Sequence, residues 1–274
     1  MILVTGATGN VGSEVVRLLH GSGQSVRILS RDPAKASFPA GVEIAVGDLS
    51  SPATLTAALD GVNAVFLIRV PGSDTFPQIA KDAGVEHIVF LSSGAIESPS
   101  ETAIGRNHLH TENLIRQSGV KWTFLRPGAF MTNTLQWAPS IRAEGVVRAP
   151  FGDVGNAPID PRDIASAAAT ALTSPGHDGQ IYSLTGPEVL TPVQQVQILS
   201  SVLGKDIRFE EIPESVAEEN MKRFAPPEIV DSIFTLMRDG RHHGERVTNA
   251  VRDVTGRQAR TFEQWAADFA HLFK

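Results

Sequence analysis

The chain has no cysteine in 274 residues. That excludes disulfides, thiolate metal sites and cysteine nucleophiles, and it fits a cytoplasmic setting. Tyrosine occurs once, as Tyr182. No apolar run approaches the length of a membrane span, so no membrane insertion is expected. Positive charge is not in excess: the formal net charge is −6, which implies no basic surface for nucleic acid or anionic lipid. There is no internal repeat and no low-complexity linker, so a second lobe is expected to be docked on the first. The length allows one large domain or one domain with an appended lobe.

What is present is concentrated at the start. Ile2-Leu3-Val4 is a short apolar run that enters Thr5-Gly6-Ala7-Thr8-Gly9-Asn10-Val11-Gly12. The run reads as a buried parallel strand. It begins at residue 2, so no leader segment is expected. After the turn, Val11, Val15, Leu18 and Leu19 recur on one helical face, and Gly21 and Gly23 end the helix. Glycine lets backbone approach a phosphate without a Cβ in the way. Free N–H groups at the helix start, together with the helix dipole, favour an anion there. The spacing is G-x-x-G-x-x-G, not the G-x-G-x-x-G of many dehydrogenases. Between a strand and a helix it predicts a dinucleotide-binding turn through Gly6, Thr8, Gly9, Asn10, Val11 and Gly12.

Further apolar strands are predicted over 26–30, 42–46, 64–68, 87–92 and 122–126, with helical stretches between several of them. One helix is expected over 52–59, with Ser51 as N-cap and Pro52 at its first position. Alternating strands and helices imply crossover units and a parallel α/β sheet. After Pro127 the alternation weakens. Helices are expected over 133–144 and 164–172, and one more strand over 181–184. Segments 191–203, 214–224 and 226–238 read as a mainly helical lobe. A final helix over 262–273 carries Phe262, Trp265, Phe269 and Phe273 at helical spacing, expected to be core.

Ligands of parallel sheets sit beyond the C-terminal ends of the strands. The second strand ends at Arg31-Asp32. A guanidinium there suits a 2′-phosphate, which favours NADP(H); Asp32 keeps NAD(H) possible, and a solvated surface arginine is the alternative. Asp48, before Leu49, is a candidate acceptor for the adenine amino group or a turn aspartate. Leu67, Ile68 and Arg69 are expected to border the cofactor ribose, with Arg69 either reaching substrate or solvated. Ser92 and Ser93 offer hydroxyls to the ribose or to a substrate oxygen. The backbone of Pro127, Gly128 and Phe130 is expected beside the nicotinamide amide. Phe130, Trp137 and Phe151 would give an apolar wall for a ring substrate, or are core.

Gly6–Gly12, Gly47-Asp48-Leu49, Ser92-Ser93-Gly94, Leu125-Arg126-Pro127-Gly128, Arg162-Asp163-Ile164-Ala165 and the ending Val254-Thr255-Gly256-Arg257 with Thr261-Phe262 resemble the NmrA-like group of atypical short-chain dehydrogenase/reductases. The resemblance spans essentially the whole chain. It implies a Rossmann-type, doubly wound parallel sheet with a small, mainly helical C-terminal substrate lobe. Residues 1–130 would form the dinucleotide-binding core and 131–274 the lobe, with about 158–186 returning to the core. It also implies reduction of quinones or triphenylmethane dyes. Some relatives serve aromatic polyketide pathways, in places linked to oxygenation; others are non-catalytic redox-sensing regulators, the alternative reading here. A homodimer is also possible.

Typical short-chain dehydrogenases carry Tyr-x-x-x-Lys with a Glu four residues after the Lys. Counting back from Glu112, the lysine place is His108 and the tyrosine place is Ile104. The usual tyrosine acid is therefore absent. Reducing a simple ketone leaves a basic alkoxide that needs an acid, whereas a reduced quinone is a delocalised, weakly basic phenolate. The expected substrate is thus a quinone or related conjugated aromatic compound. His108 and Ser93 are the candidate catalytic residues, with His108 a proton donor or hydrogen-bonding group. A sugar-nucleotide epimerase would need a base near Ile104 and is disfavoured. His242-His243 lacks further ligands, so no metal site is expected. Arg238, Arg241 and Arg246 beside it form a basic patch that is either a solvated face or a contact for an anionic substrate.

Overall fold

The computed structural model describes residues 1–33, 38–243 and 246–274, with the side chains of 241–243 outside the description. The elements run β1 (Ile2–Val4), α1 (Gly12–Gly21), β2 (Val26–Ser30), β3 (Glu43–Val46), α2 (Leu55–Leu59), β4 (Ala64–Ile68), α3 (Phe76–Asp82), β5 (His87–Leu91), α4 (Ala103–Ser118) and β6 (Lys121–Pro127). They continue with α5 (Ala138–Glu144), β7 (Val146–Ala149), α6 (Pro161–Thr173), β8 (Gln180–Leu184), α7 (Pro192–Leu203), β9 (Arg208–Glu211), α8 (Glu214–Lys222), α9 (Pro227–His243), α10 (Ala250–Thr255) and α11 (Phe262–Asp268).

Seven strands form one parallel sheet in the order β3-β2-β1-β4-β5-β6-β8. This is the Rossmann-type doubly wound α/β fold. The order reverses between β1 and β4, which opens a crevice at the carboxyl ends of those strands. The central strands are apolar throughout because both sheet faces are covered. Ile2, Val4, Ile28, Phe66, Val89 and Leu125 face α1, α6 and α10. Their neighbours Leu3, Leu29, Val65, Ile88, Phe90 and Phe124 face the other way, into the cluster that also takes Leu55, Phe76 and Ile115 from α2, α3 and α4. Alternation by one residue thus assigns each side chain to one of two cores.

The C-terminal part has its own core. Met131, Ile141, Val147, Val196 and Leu199 pack with Phe262, Trp265 and Phe273. Trp265 lies 5.4 Å from Phe262 and 5.3 Å from Phe269 between ring centroids, so the aromatic stripe is interior packing. α7 and α11 each begin with a reciprocal capping box, Thr191 with Gln194 and Thr261 with Gln264.

Several expected elements are subdivided or extended. Ser51 makes no side-chain cap; residues Pro52–Thr54 form a 3-10 turn before α2, and the Thr54 hydroxyl takes up the Asp48 N–H at 3.0 Å. The helix expected over 133–144 is a 3-10 segment, Met131–Trp137, followed by α5. The last helix changes to a 3-10 turn at Ala270–Phe273. The lobe is not purely helical: β7 and β9 pair in parallel as a second sheet. No described helix is long and apolar enough to cross a membrane.

Candidate active site

The crevice is fixed at its base by Thr5. Its N–H and hydroxyl both donate to the Phe66 carbonyl at 3.0 Å, and the hydroxyl accepts from the Ile68 N–H at 2.9 Å. The turn leaving β1 is therefore held against the end of β4. Gly6 has φ +61°, and a Cβ there would stand 2.5 Å from Ile68 Cδ1. A Cβ on Gly12 would meet the Gly6 carbonyl oxygen at 2.2 Å, so α1 starts directly on the turn. No side chain caps α1. The Ser13 N–H donates to the Gly9 carbonyl at 3.1 Å, which leaves the Gly12 and Glu14 N–H groups for an anion, as the dipole favours.

A cleft of about 470 Å³ opens beside this turn, between the ends of β1, β2, β3 and β4. Of the residues expected to contact cofactor, Gly6, Thr8, Arg31, Asp48, Leu49 and Ile68 line it together, with Asp32. Asp48 Oδ1 accepts from the Ser50 N–H at 2.8 Å and the Ser50 hydroxyl at 2.7 Å. Those two bonds, then the charge of Arg31, hold its carboxyl below the usual range. Gly9 and Asn10 are exposed on the turn, and Asn10 Nδ2 donates to Thr132 Oγ1 at 3.4 Å.

Val11 and Leu67 do not line the cleft, and both side chains are buried in the cores. Gly12 is likewise buried. Ser92 departs from expectation. Its side chain is buried and its hydroxyl donates to Glu112 Oε1 at 2.6 Å, so that proton is committed to the fold. Glu112, itself fully buried, also accepts from Arg126 Nε at 2.9 Å, Arg126 Nη2 at 2.7 Å and Arg116 Nη2 at 3.2 Å. Arg126 Nη1 donates to Glu97 at 3.1 Å, and Ser183 binds the same Glu97. One ionic network thus pins α4 to the ends of β5, β6 and β8. The sequence holds a trace of it: Arg126 is the one charge inside an otherwise apolar stretch, Trp122–Pro127.

Ser93 is half-buried and its Oγ accepts from the Ala95 N–H at 3.2 Å, leaving its own proton to donate. Pro127 is buried; the Gly128 N–H donates to the Leu184 carbonyl at 3.0 Å, which ties the segment leading to half-buried Phe130 against β8. Trp137 is half-buried against the lobe core. Phe151 takes the core alternative: it is 3% exposed, with φ +59°, and packs against Phe234 at 6.0 Å. It belongs to a small cluster with Val154 and Val230, and the cavity it borders, with Pro150, Ile212 and Pro213, is separate from the cleft at the sheet ends.

His108 Nδ1 donates to the Ile104 carbonyl at 2.8 Å, so the neutral ring carries its lone pair on Nε2. Burial lowers its pKa, and the charge of Arg69 lowers it further, against the bond to Ile104 and the charge of Glu112. At neutral pH the ring is an acceptor with no spare proton. The helix bearing it is held from the lobe, a feature sequence reading missed. Ser232 on α9 accepts from the N–H groups of Ala103 at 3.1 Å and Ile104 at 3.4 Å. Asp239 on α9 accepts from the Ser98 hydroxyl, from Ser100 N–H at 3.1 Å and from Ser100 Oγ at 2.8 Å. Tyr182 is remote from this function: its hydroxyl pairs with His177 Nδ1 at 2.8 Å. The side chains of Arg241, His242 and His243 lie outside the described residues; Arg238 pairs with Glu214, and Arg246 is exposed.

The NmrA-like family matches residues 1–266. The chain is 43% identical to a (4-alkanoyl-5-oxo-2,5-dihydrofuran-3-yl)methyl phosphate reductase of Streptomyces griseus, covering 100% of this chain and 99% of that one. It is 39% identical to an NAD(P)H azoreductase of Xenophilus azovorans, again over 100% and 99%. Among solved structures, the NADPH complex of the Escherichia coli NADPH-dependent quinone oxidoreductase is similar over 100% of both chains, with a TM-score of 0.85 and 28% identity.

Proposed function

Because the chain belongs to the NmrA-like family, we propose that it is an NAD(P)H-dependent reductase of quinones and related conjugated aromatic acceptors. Reductases of quinone, azo and conjugated lactone substrates among its relatives support this reading. The residues present fit a dinucleotide. Gly6 and Gly12 let the turn pack closely, since a Cβ at either would strike Ile68 or the Gly6 carbonyl, and the start of α1, which no side chain caps, accepts a pyrophosphate. Arg31 in the cleft favours NADP(H), with Asp32 beside it keeping NAD(H) admissible. When bound, the nicotinamide supplies a hydride.

Residues 1–130 then form the dinucleotide core and 131–274 the acceptor lobe, with 158–186 built back into the core. The observation that carries the choice of acceptor is at α4. By the count back from Glu112, Ile104 takes the place of the customary tyrosine acid, and its carbonyl is bonded to His108 and its N–H to Ser232. No strong acid faces the acceptor from that helix. The product anion must therefore be weakly basic, as a hydroquinone anion is, and water can protonate it. Ser93 donates a hydrogen bond to the acceptor oxygen. His108 accepts one through Nε2, from a ribose hydroxyl or a reduced acceptor. Phe130 and Trp137 flank the ring. Tailoring of an aromatic polyketide, with oxygen consuming the reduced product, is a narrower form of this chemistry.

The test is NADPH oxidation with menadione and an anthraquinone, followed at 340 nm. Absence of turnover across the panel, with NADPH binding confirmed by fluorescence, would refute the reductase reading. Product analysis with and without oxygen separates reduction from oxygenation.

A further inference from the structure

We propose that Arg69 is an anion seat for the acceptor, and that the acceptor carries a phosphate monoester close to the carbon that is reduced. This rests on the hydride-transfer part of the reductase reading above and extends its acceptors from aromatic rings to a conjugated lactone. Among the described residues, half-buried arginines are otherwise matched. Arg27 is held by Glu43, Arg116 and Arg126 by Glu112, and Arg162 and Arg260 by Asp160. Arg69 is also half-buried, yet no hydrogen bond or ion pair joins it to another described residue. A partly desolvated guanidinium without a counterion is a costly arrangement unless a ligand supplies the charge. Its planar fork matches phosphate oxygens in pairs.

Its place in the fold restricts which ligand that is. Arg69 follows directly on β4, between Ile68 and Val70; those two line the cleft that holds Arg31, and Arg69 does not. The register Ile68↔Leu91 sets it level with Ser92 at the end of β5. Its charge also reaches His108 on α4. Arg31, by contrast, stands at the end of β2, toward the adenosine side. Arg69 is thus the cation at the reacting end of the crevice. The Asp74 carboxylate nearby in sequence pairs with His110, and Glu112 is taken by Arg116 and Arg126.

A substrate of the required kind is named by the relative from Streptomyces griseus. In a (4-alkanoyl-5-oxo-2,5-dihydrofuran-3-yl)methyl phosphate, the double bond joins ring carbons 3 and 4. Its reduction adds a hydride at ring carbon 3 and a solvent proton at ring carbon 4, with NADPH oxidised to NADP⁺. The negative charge before protonation spreads over the lactone and alkanoyl oxygens, so this acceptor too needs no tyrosine acid. The phosphate hangs on a methylene attached to ring carbon 3 itself. The group that receives it must therefore stand beside the point of hydride delivery, where Arg69 is.

The experiment is calorimetric titration of the NADP⁺-loaded protein with the 4-hexanoyl phosphate ester and, separately, with its dephosphorylated alcohol. One charge-assisted pair predicts that the wild type prefers the phosphate ester by roughly tenfold or more. Arg69→Ala is expected to lose that preference, and Arg69→Lys to keep part of it. NADPH titration of each variant reports that the dinucleotide core is folded. Equal affinity of the wild type for ester and alcohol overturns the proposal. So does an Arg69→Ala variant that keeps the preference, or one that loses NADPH affinity while the preference stays, since Arg69 would then serve the cofactor. Failure of the wild type to oxidise NADPH with menadione would count against the reductase reading, while the binding preference still judges Arg69.

Discussion

Replacing Glu112 by glutamine alters one functional group at the point where β5, β6 and α4 meet. The carboxylate is fully buried and accepts from Ser92 and from both Arg126 and Arg116. A glutamine oxygen can keep the Ser92 and Arg126 Nε bonds at Oε1, but its amide then turns N–H groups toward Arg126 Nη2 and Arg116 Nη2. Donors face donors, and the Arg126 side chain is only 12% exposed. Removing one partner of a buried pair costs about 3–5 kcal/mol, most of it from the charge left behind. Arg126 keeps Glu97 at 3.1 Å, so the lower end, about 3 kcal/mol, is expected. An unfolding entropy of roughly 2 cal/mol/K per residue converts this into a fall of about 5 °C in Tm. Thermal and urea unfolding measure it directly. The strand ends released are those bearing Ser93 and Gly128, so turnover should fall with stability. The control is Glu144→Gln, whose pair with Arg148 is exposed and screened by solvent. A Glu112→Gln variant no less stable than that control would refute the reasoning, since the network would then carry no buried charge.

Three further outcomes test other parts of the structure. Burial pushes Asp163 up to about 6. The folded state thus keeps a proton that the unfolded chain releases near the ordinary value, so this group's stabilisation is complete below about pH 4 and is lost as pH rises through about 6. The change is roughly 3 kcal/mol, and Asp163→Asn should flatten that part of a stability–pH curve from urea melts; parallel curves would count against it. Gly12→Ala places a Cβ 2.2 Å from the Gly6 carbonyl oxygen. It should weaken NADPH binding in fluorescence titration by about tenfold or more, and unchanged affinity would show that the turn is not the pyrophosphate seat. Because His108 is neutral above its lowered pKa, quinone reduction should be independent of pH between about 7 and 8.5. His108→Gln should then cost less than tenfold in kcat, whereas loss of a general acid costs about 10²–10⁴.

The parts of this protein that were legible in its sequence have local causes. The turn after β1 was legible because strand, glycines and helix face lie within twenty residues, and each constraint acts between neighbours. The central strands were legible because burial on both faces makes them apolar without interruption. What escaped depends on partners distant in the chain. A serine after a strand reads the same whether it faces solvent or, as Ser92 does, gives its proton to a buried carboxylate on a later helix. Phe151 reads equally as a ring contact or as core until Phe234 and Val230, brought in by α9, pack against it. β7 and β9 are four residues each and stabilise one another only across the lobe. The same non-local logic bears on function. Ser232 and Asp239 of α9 hold the first turn of α4 and the loop before it, and that turn supplies the Ile104 carbonyl that orients His108. The group proposed to border the acceptor is therefore positioned by the lobe proposed to bind it. A displacement of α9 on acceptor binding would be passed to the His108 ring through two side chains, without any change in the sheet.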